Sequence, residues 1–284
     1  MNAYSPKSLE ELTQLLEQFS GNVLFVAGGT DLIIQLRHTA YEPENLVYLG
    51  QIPELKTIKK YGERLLIGAA CTMSWLSEHP MLSGAYRVLA EAAGSVGSVQ
   101  VRNRATIGGN IAHASAAADM AAPLLCLNAD AVVLQSGRKL KIPVSELIVG
   151  NEKTILGAGD VILGFFLPSY TGQTVSHYHK LAFRKEMSIS RFGIAVMIQY
   201  AQEAVEQASV CIGAIGPKAV RMPEVEGLII GKPLTESAIE EAGQLLSDYI
   251  GATSGRKYKM WAAGSVMADA LRPFMKRQQG NGAE

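Results

Sequence analysis

Val101-Arg102-Asn103-Arg104-Ala105-Thr106-Ile107-Gly108-Gly109-Asn110-Ile111-Ala112-His113-Ala114-Ser115-Ala116-Ala117-Ala118-Asp119 is a run almost without bulk. It joins a basic loop, a glycine pair, an amide and a string of small residues. A segment that gives up side chains in this way makes room for something large. Gly108 and Gly109 let the backbone turn sharply and approach a ligand without a Cβ in between. Backbone N–H groups aimed together in such a turn form a concavity suited to a phosphate or a diphosphate. The alternative is a tight turn between two buried segments.

A second glycine pair lies about eighty residues upstream. Val23-Leu24-Phe25-Val26 is an apolar, strand-like run that breaks at Ala27-Gly28-Gly29 and offers Thr30 or Asp31 as N-cap for Leu32 to Leu36. A strand, a glycine turn and a helix start present N–H groups and a helix dipole to an anion. Neither G-x-G-x-x-G nor G-x-x-x-x-G-K-[ST] is present, since Gly157-Ala158-Gly159 is followed by Ile162 where the third glycine belongs.

Together, A-G-G-T-D at Ala27–Asp31 and V-R-N-R-A-T-I-G-G-N at Val101–Asn110 resemble the paired FAD-binding loops of molybdenum hydroxylase flavoproteins. These are the medium subunits of xanthine dehydrogenase and carbon monoxide dehydrogenase. The resemblance covers essentially the whole chain, from Y-S-P-K-S-L-E-E-L at Tyr4–Leu12 onward. It implies an α+β fold: a two-part FAD-binding domain of the vanillyl-alcohol-oxidase (PCMH) type over residues 1–170, then a smaller α+β domain over 175–278. It also implies that Phe25, Val26, Ala27, Gly28, Gly29, Thr30, Asp31 and Leu32 bind FAD with Thr106, Ile107, Gly108, Gly109 and Asn110. Asp119, Ile162 and Lys180 match further FAD contacts of that family. Thr30-Asp31 leans toward the xanthine dehydrogenase side, with NAD as electron acceptor.

By the same resemblance, an iron–sulfur small subunit and a molybdenum-cofactor large subunit are the partners, paired into a dimer of heterotrimers. The alternatives are a carbon monoxide dehydrogenase medium subunit, a stand-alone FAD-dependent reductase of the same fold, and a binding subunit with empty loops. A stand-alone reductase needs a proton donor beside the flavin. No distinctive one stands out, and Ser190 and Tyr178 are the groups left open.

The composition fits a globular chain of one large or two ordinary domains: 284 residues, 48% hydrophobic and 18% charged. A formal net charge of zero argues against a nucleic-acid surface, despite Arg102 and Arg104. Those arginines belong to an ordinary solvated loop or help to position it. Cys71, Cys126 and Cys211 are too few and too far apart for a zinc site or an iron–sulfur cluster, and free thiols suit a reducing cytoplasm. No signal segment and no apolar run of membrane-spanning length is evident.

Ser8 and Glu11 form a capping box for a first helix that ends at Gly21-Asn22. Strands are expected at Leu46–Leu49 and Val161–Leu167, and a hairpin around Tyr61-Gly62, with helices at Thr72–Glu78, Tyr86–Ala93 and Met120–Leu127. A boundary falls between Pro168 and Val175, where Thr171 and Gly172 sit. Beyond it come strands at Tyr178–Phe183, Ile194–Tyr200 and Ala208–Ile215. A helix capped by Ser237 and Glu240 follows, then one from Tyr258 stopped near Pro273, and a frayed Gln278–Glu284 tail. His177 and His179 share a strand face, a spacing open to a metal but more simply structural. Met187, Met197 and Met260 read as core fillers. No general acid or base stands out, as suits a chain whose chemistry belongs to a cofactor.

Overall fold

The computed structural model describes residues 1–19, 22–39, 43–170, 173–184 and 189–279. The expectations placed on Gly21, Thr171, Gly172, Met187 and the tail at 280–284 lie outside these residues. Among the described residues the N-terminal part holds two larger sheets and a two-stranded one, Ile148–Gly150 with Lys153–Thr154. The first is parallel, with Asn45–Tyr48 between Asn2–Tyr4 and Val23–Val26. The helix Leu9–Gln18 packs beside it, with buried Leu12 in a core shared with Val47 and Ile52. Its cap is as read: Ser8 Oγ accepts from the Glu11 N–H at 3.1 Å. The Glu11 carboxylate closes the box on the Lys7 N–H instead, at 2.6 Å.

The second sheet is antiparallel, in the order Ile58–Tyr61, Arg64–Gly68, Val161–Leu167, Asp130–Gln135, Arg138–Pro143. Between Gly68 and Asp130 the chain leaves the sheet for a layer of short helices: Met73–Glu78, Arg87–Gly94, Val99–Arg102, Ile107–His113 and Ala121–Cys126. The small-residue stretch Val101–Asp119 belongs to this layer.

The C-terminal part is an antiparallel sheet of Thr174–Ala182, Ser190–Ala201, Ala204–Gly213 and Val220–Arg221, with the helices Pro223–Ile229, Glu236–Thr253 and Lys257–Gln279. Its second strand is buried on both faces, which explains the unbroken apolar run Phe192–Ile198. Phe192, Ile194, Val196 and Ile198 enter the core shared with the helices. Ala195 and Met197 enter the core of the N-terminal part with Met120 and Cys126. Tyr178 pairs in register with Ala195 and joins that second core.

The edge strand Thr174–Ala182 is covered by the helix Arg87–Gly94, which satisfies its polar groups. Ser176 Oγ accepts from the Val88 N–H at 2.9 Å, and Glu91 Oε2 accepts from the Tyr178 N–H at 2.8 Å.

Two helix limits differ from expectation. The N-cap of Glu236–Thr253 is Thr235, whose hydroxyl accepts from the Ala238 N–H at 3.2 Å, and not Ser237. Thr235 lies two residues upstream, so its side chain reaches the first free N–H groups. The last helix runs through Pro273 instead of stopping there. Buried Phe274 and Leu271 hold it against the core, and such packing outweighs one lost backbone bond. Among the described residues, no helix is long and apolar enough to cross a membrane.

Candidate functional site

A cavity of about 640 Å³ lies where the two parts meet. One wall is Leu24–Leu32; the opposite wall carries Thr106, Gly109, Asn110 and His113; the C-terminal part contributes Ile189 and Ser190. A smaller cavity of about 90 Å³ shares Phe25, Ala27, Gly109 and Ala112 with it and continues toward Ile162, Leu49 and Ala69. The two cavities adjoin at these shared residues, between the two glycine segments.

The glycines have separate tasks. An added Cβ at Gly28 would lie 2.1 Å from the carbonyl oxygen of Arg104, so the two loops touch backbone to backbone. One at Gly108 would lie 2.6 Å from Ala69 Cβ, which locks its helix onto the second sheet. Gly109 differs: an added Cβ there meets only Thr106 Oγ1, at 3.0 Å, and Gly109 lines both cavities.

The backbone donors divide just as sharply. The N–H groups of Ile107 and Gly108 go to Cys71 O and Ala69 O at 3.1 and 2.8 Å. Those of Gly109 and Asn110 go to the side chain and carbonyl of Thr106. The second glycine pair therefore turns its donors into the protein. Among the described residues, the N–H groups of Gly28, Gly29, Thr30, Asp31 and Leu32 take no protein acceptor. Of the two glycine loops, the first alone leaves such a run of backbone donors without protein acceptors among the described residues. Asp31 occupies the N-cap position of Leu32–His38 without capping it; its carboxylate reaches Gln35 Nε2 at 2.9 Å and His113 Nδ1 at 3.1 Å. That pair bridges the two glycine segments.

At the seam lies a buried polar cluster around Asp119. Its carboxylate accepts from Tyr178 Oη at 3.0 Å, from Lys180 Nζ at 2.8 Å and from Ser190 Oγ. Lys180 Nζ also donates to Ser95 O at 2.9 Å, at the end of the helix Arg87–Gly94. Burial and then the Asp119 charge push the Tyr178 phenol well above its ordinary pKa, so it stays a donor. Gly193 makes the geometry possible, because a Cβ there would lie 2.3 Å from Tyr178 Oη.

Of the residues singled out in the sequence, Phe25 to Leu32, Thr106, Gly109, Asn110 and Asp119 line the larger cavity. Ile162 and Gly108 line the smaller one. Ile107 is fully buried, and Lys180 reaches the cavity only through Asp119. Arg102 donates to Val96 O at 3.1 Å and shapes the wall formed by Val96 and Gly97. His177 and His179 face separate carboxylates, Glu91 at 2.9 Å and Asp269 at 3.8 Å. Sequence reading did not place Ile189, Val96 or Gly97 at the site. The polar run before Ile189 hides that residue, and the other two carry no motif.

The site fits FAD: two adjoining cavities share a wall, the larger is lined mostly by apolar groups, and the first glycine loop carries a run of backbone donors, without protein acceptors among the described residues, that suits a diphosphate. Comparison with known proteins agrees. Residues 1–170 match the family described as FAD binding domain in molybdopterin dehydrogenase, and residues 176–272 the CO dehydrogenase flavoprotein C-terminal domain. The nicotinate dehydrogenase FAD-subunit of Eubacterium barkeri is 30% identical, over 87% of this chain and 85% of its own. The carbon monoxide dehydrogenase medium chain of Hydrogenophaga pseudoflava is 29% identical, over 84% of this chain and 83% of its own. A solved carbon monoxide dehydrogenase structure from that organism superposes with a TM-score of 0.86 at 27% identity, covering 96% of each chain. The chain belongs to the molybdopterin dehydrogenase FAD-binding family, as an FAD-carrying medium subunit of a molybdenum hydroxylase.

Proposed function

We propose that this chain is the electron outlet of its complex, taking electrons from iron–sulfur clusters on a small partner subunit and delivering them in pairs to NAD. A large partner subunit would carry the molybdenum cofactor and oxidise the substrate. The observation that carries the reading is the cavity lined by both parts of the chain, with the backbone donors of Gly28–Leu32 along one wall without protein acceptors among the described residues. When bound, FAD supplies exchange of one electron with clusters and of two with an organic acceptor.

The chain's own residues bind and orient. The N–H groups of Gly28 to Leu32 would hold the diphosphate. Phe25, Val26, Ala27, Thr106 and Asn110 wall the space, Gly109 leaves it open, and Ile107 and Gly108 anchor the second segment behind it. Ile162 lines the narrow end, suited to the nucleoside. Asp119, backed by Lys180, stands with Ser190 at the wide end, suited to the redox ring. The boundary is placed between Pro168 and Val175, giving an FAD-binding domain over 1–170 and a second domain over 175–278.

The acceptor is tested without knowing the substrate. Bound FAD is reduced with dithionite, excess reductant is removed anaerobically, and NAD is added. Prompt reoxidation by NAD supports the reading. Reoxidation by quinones alone overturns NAD as the acceptor.

A further inference from the structure

We propose that Ser190 is a hydrogen-bond acceptor of fixed polarity for a flavin ring nitrogen that gains hydrogen on reduction, and that Asp119 imposes the polarity. The proposal rests on the reading above that the wide end of the cavity holds the redox ring. Ser190 is buried yet lines that end with Asp119. A serine hydroxyl carries one proton and two lone pairs, and ordinarily rotates to suit whatever it meets. Here the proton is committed, because Ser190 Oγ donates to Asp119 Oδ1.

The commitment is enforced from behind. A carboxylate has no proton to return, and Asp119 also accepts from Lys180 Nζ at 2.8 Å and Tyr178 Oη at 3.0 Å. The side chains of Asp119 and Lys180 are each 9% exposed, so solvent does little to loosen the pair. Lys180 is itself tied to Ser95 O at 2.9 Å. Tyr178 cannot reverse its own bond, being held protonated by burial. Toward the cavity Ser190 therefore shows lone pairs only.

A ligand atom meeting Ser190 must donate. Oxidised flavin has ring nitrogens that are acceptors, and two-electron reduction with proton uptake converts such a nitrogen to N–H. Two facing acceptors repel, whereas N–H against Ser190 Oγ is a hydrogen bond. Ser190 thus favours the reduced cofactor over the oxidised one and raises its midpoint potential.

The test uses the full chain loaded with FAD: wild type, Ser190→Ala, Ser190→Thr and Asp119→Asn. Bound FAD per chain is measured first, then the two-electron midpoint potential by dye equilibration. Ser190→Ala should keep its FAD but lose about tenfold in preference for the reduced form, a potential lower by about 30 mV. Ser190→Thr, which keeps the hydroxyl, should restore the wild-type potential. Because Asp119→Asn frees the polarity of Ser190 but also removes a negative charge beside the ring, it is used as a background, in which Ser190→Ala should lower the potential less than it does in wild type. An unchanged potential in Ser190→Ala overturns the proposal, whether or not both redox states bind more weakly. A wild-type chain that takes up no FAD overturns the cavity assignment first, and the role of Ser190 with it.

Discussion

The carbonyl oxygen of Arg104 sits so close to Gly28 that a Cβ built there would be 2.1 Å from it. Two loops far apart in sequence are thereby pressed together at their backbones. The contact sets the approach of two loops whose neighbours, Gly29–Leu32 on one side and Thr106 and Gly109 on the other, line the cavity. It also explains why the basic loop precedes the second glycine pair: its main chain is the counterpart surface, and its Arg102 side chain props the neighbouring wall.

The two glycine pairs should fail in different ways when filled. Gly28→Ala forces the loops apart and should lose stability by about 1–3 kcal/mol, the usual cost of overpacking, together with FAD retention. Gly109→Val meets Thr106 Oγ1 with its first atom and otherwise puts its bulk into the cavity, so the apo chain should lose less stability than Gly28→Ala while retention is lost. Thermal melts of both apo proteins, with FAD released by heat and quantified, separate the cases. Equal melting temperatures for Gly28→Ala and wild type would refute the contact.

Much of this arrangement was legible beforehand, and the remainder was hidden for definable reasons. The strand Val161–Leu167 and the strand-to-glycine turn at Val26–Gly29 follow from periodicity and the breaking power of glycine. Ile107–His113 does not read as a helix, because Gly108 and Gly109 oppose helix formation by propensity. It forms because Gly108 packs on Ala69 and Thr106 caps it, and both partners are visible only in three dimensions. The same holds for donor direction: nothing local tells that the Gly108 N–H is taken by Ala69 O while the Gly28 N–H has no protein acceptor among the described residues. In the sequence Ser190 reads only as a candidate proton donor, since its bond to Asp119 joins residues seventy-one positions apart.

Lys180 should be the costliest single side chain of the site to remove. Lys180→Met leaves the Asp119 carboxylate buried without its cation, and breaking such a pair costs about 3–5 kcal/mol. Chemical denaturation should show that loss, and the double variant Lys180→Met/Asp119→Asn, neutral but with an oxygen still open to Tyr178 and Ser190, should recover a good part of it. A single variant as stable as wild type would mean that the pair contributes nothing to the seam.

Partnership should be visible on purification. Drawn gently from its native host, the chain should bring iron and molybdenum with it in fixed ratio to FAD, measured by metal analysis of the purified complex. Recovery of the yellow chain alone, free of both metals and active by itself, would favour a stand-alone reductase.

Lys259 gives the fold a pH dependence of definite sign. Its side chain is buried beside the Phe192 ring and donates to Ala214 O, whose own N–H reaches Ala116 O at 3.1 Å in the cavity loop. Burial first, and then the charges of Arg256 and Arg191, bring the ammonium down from 10.5 to about 8. With the folded value below the unfolded one, the unfolded chain binds more protons between those two pH values. Stability attributable to this residue therefore rises with pH from about 8 to 10.5, and below that window it is at its lowest. Lys259→Met removes the titration. Denaturant midpoints taken at about pH 7.5 and about pH 10 should converge for wild type and variant differently at the two ends, the wild type gaining on the variant as pH rises. Parallel pH curves for the two proteins would mean that the ammonium keeps its ordinary affinity for protons despite its burial.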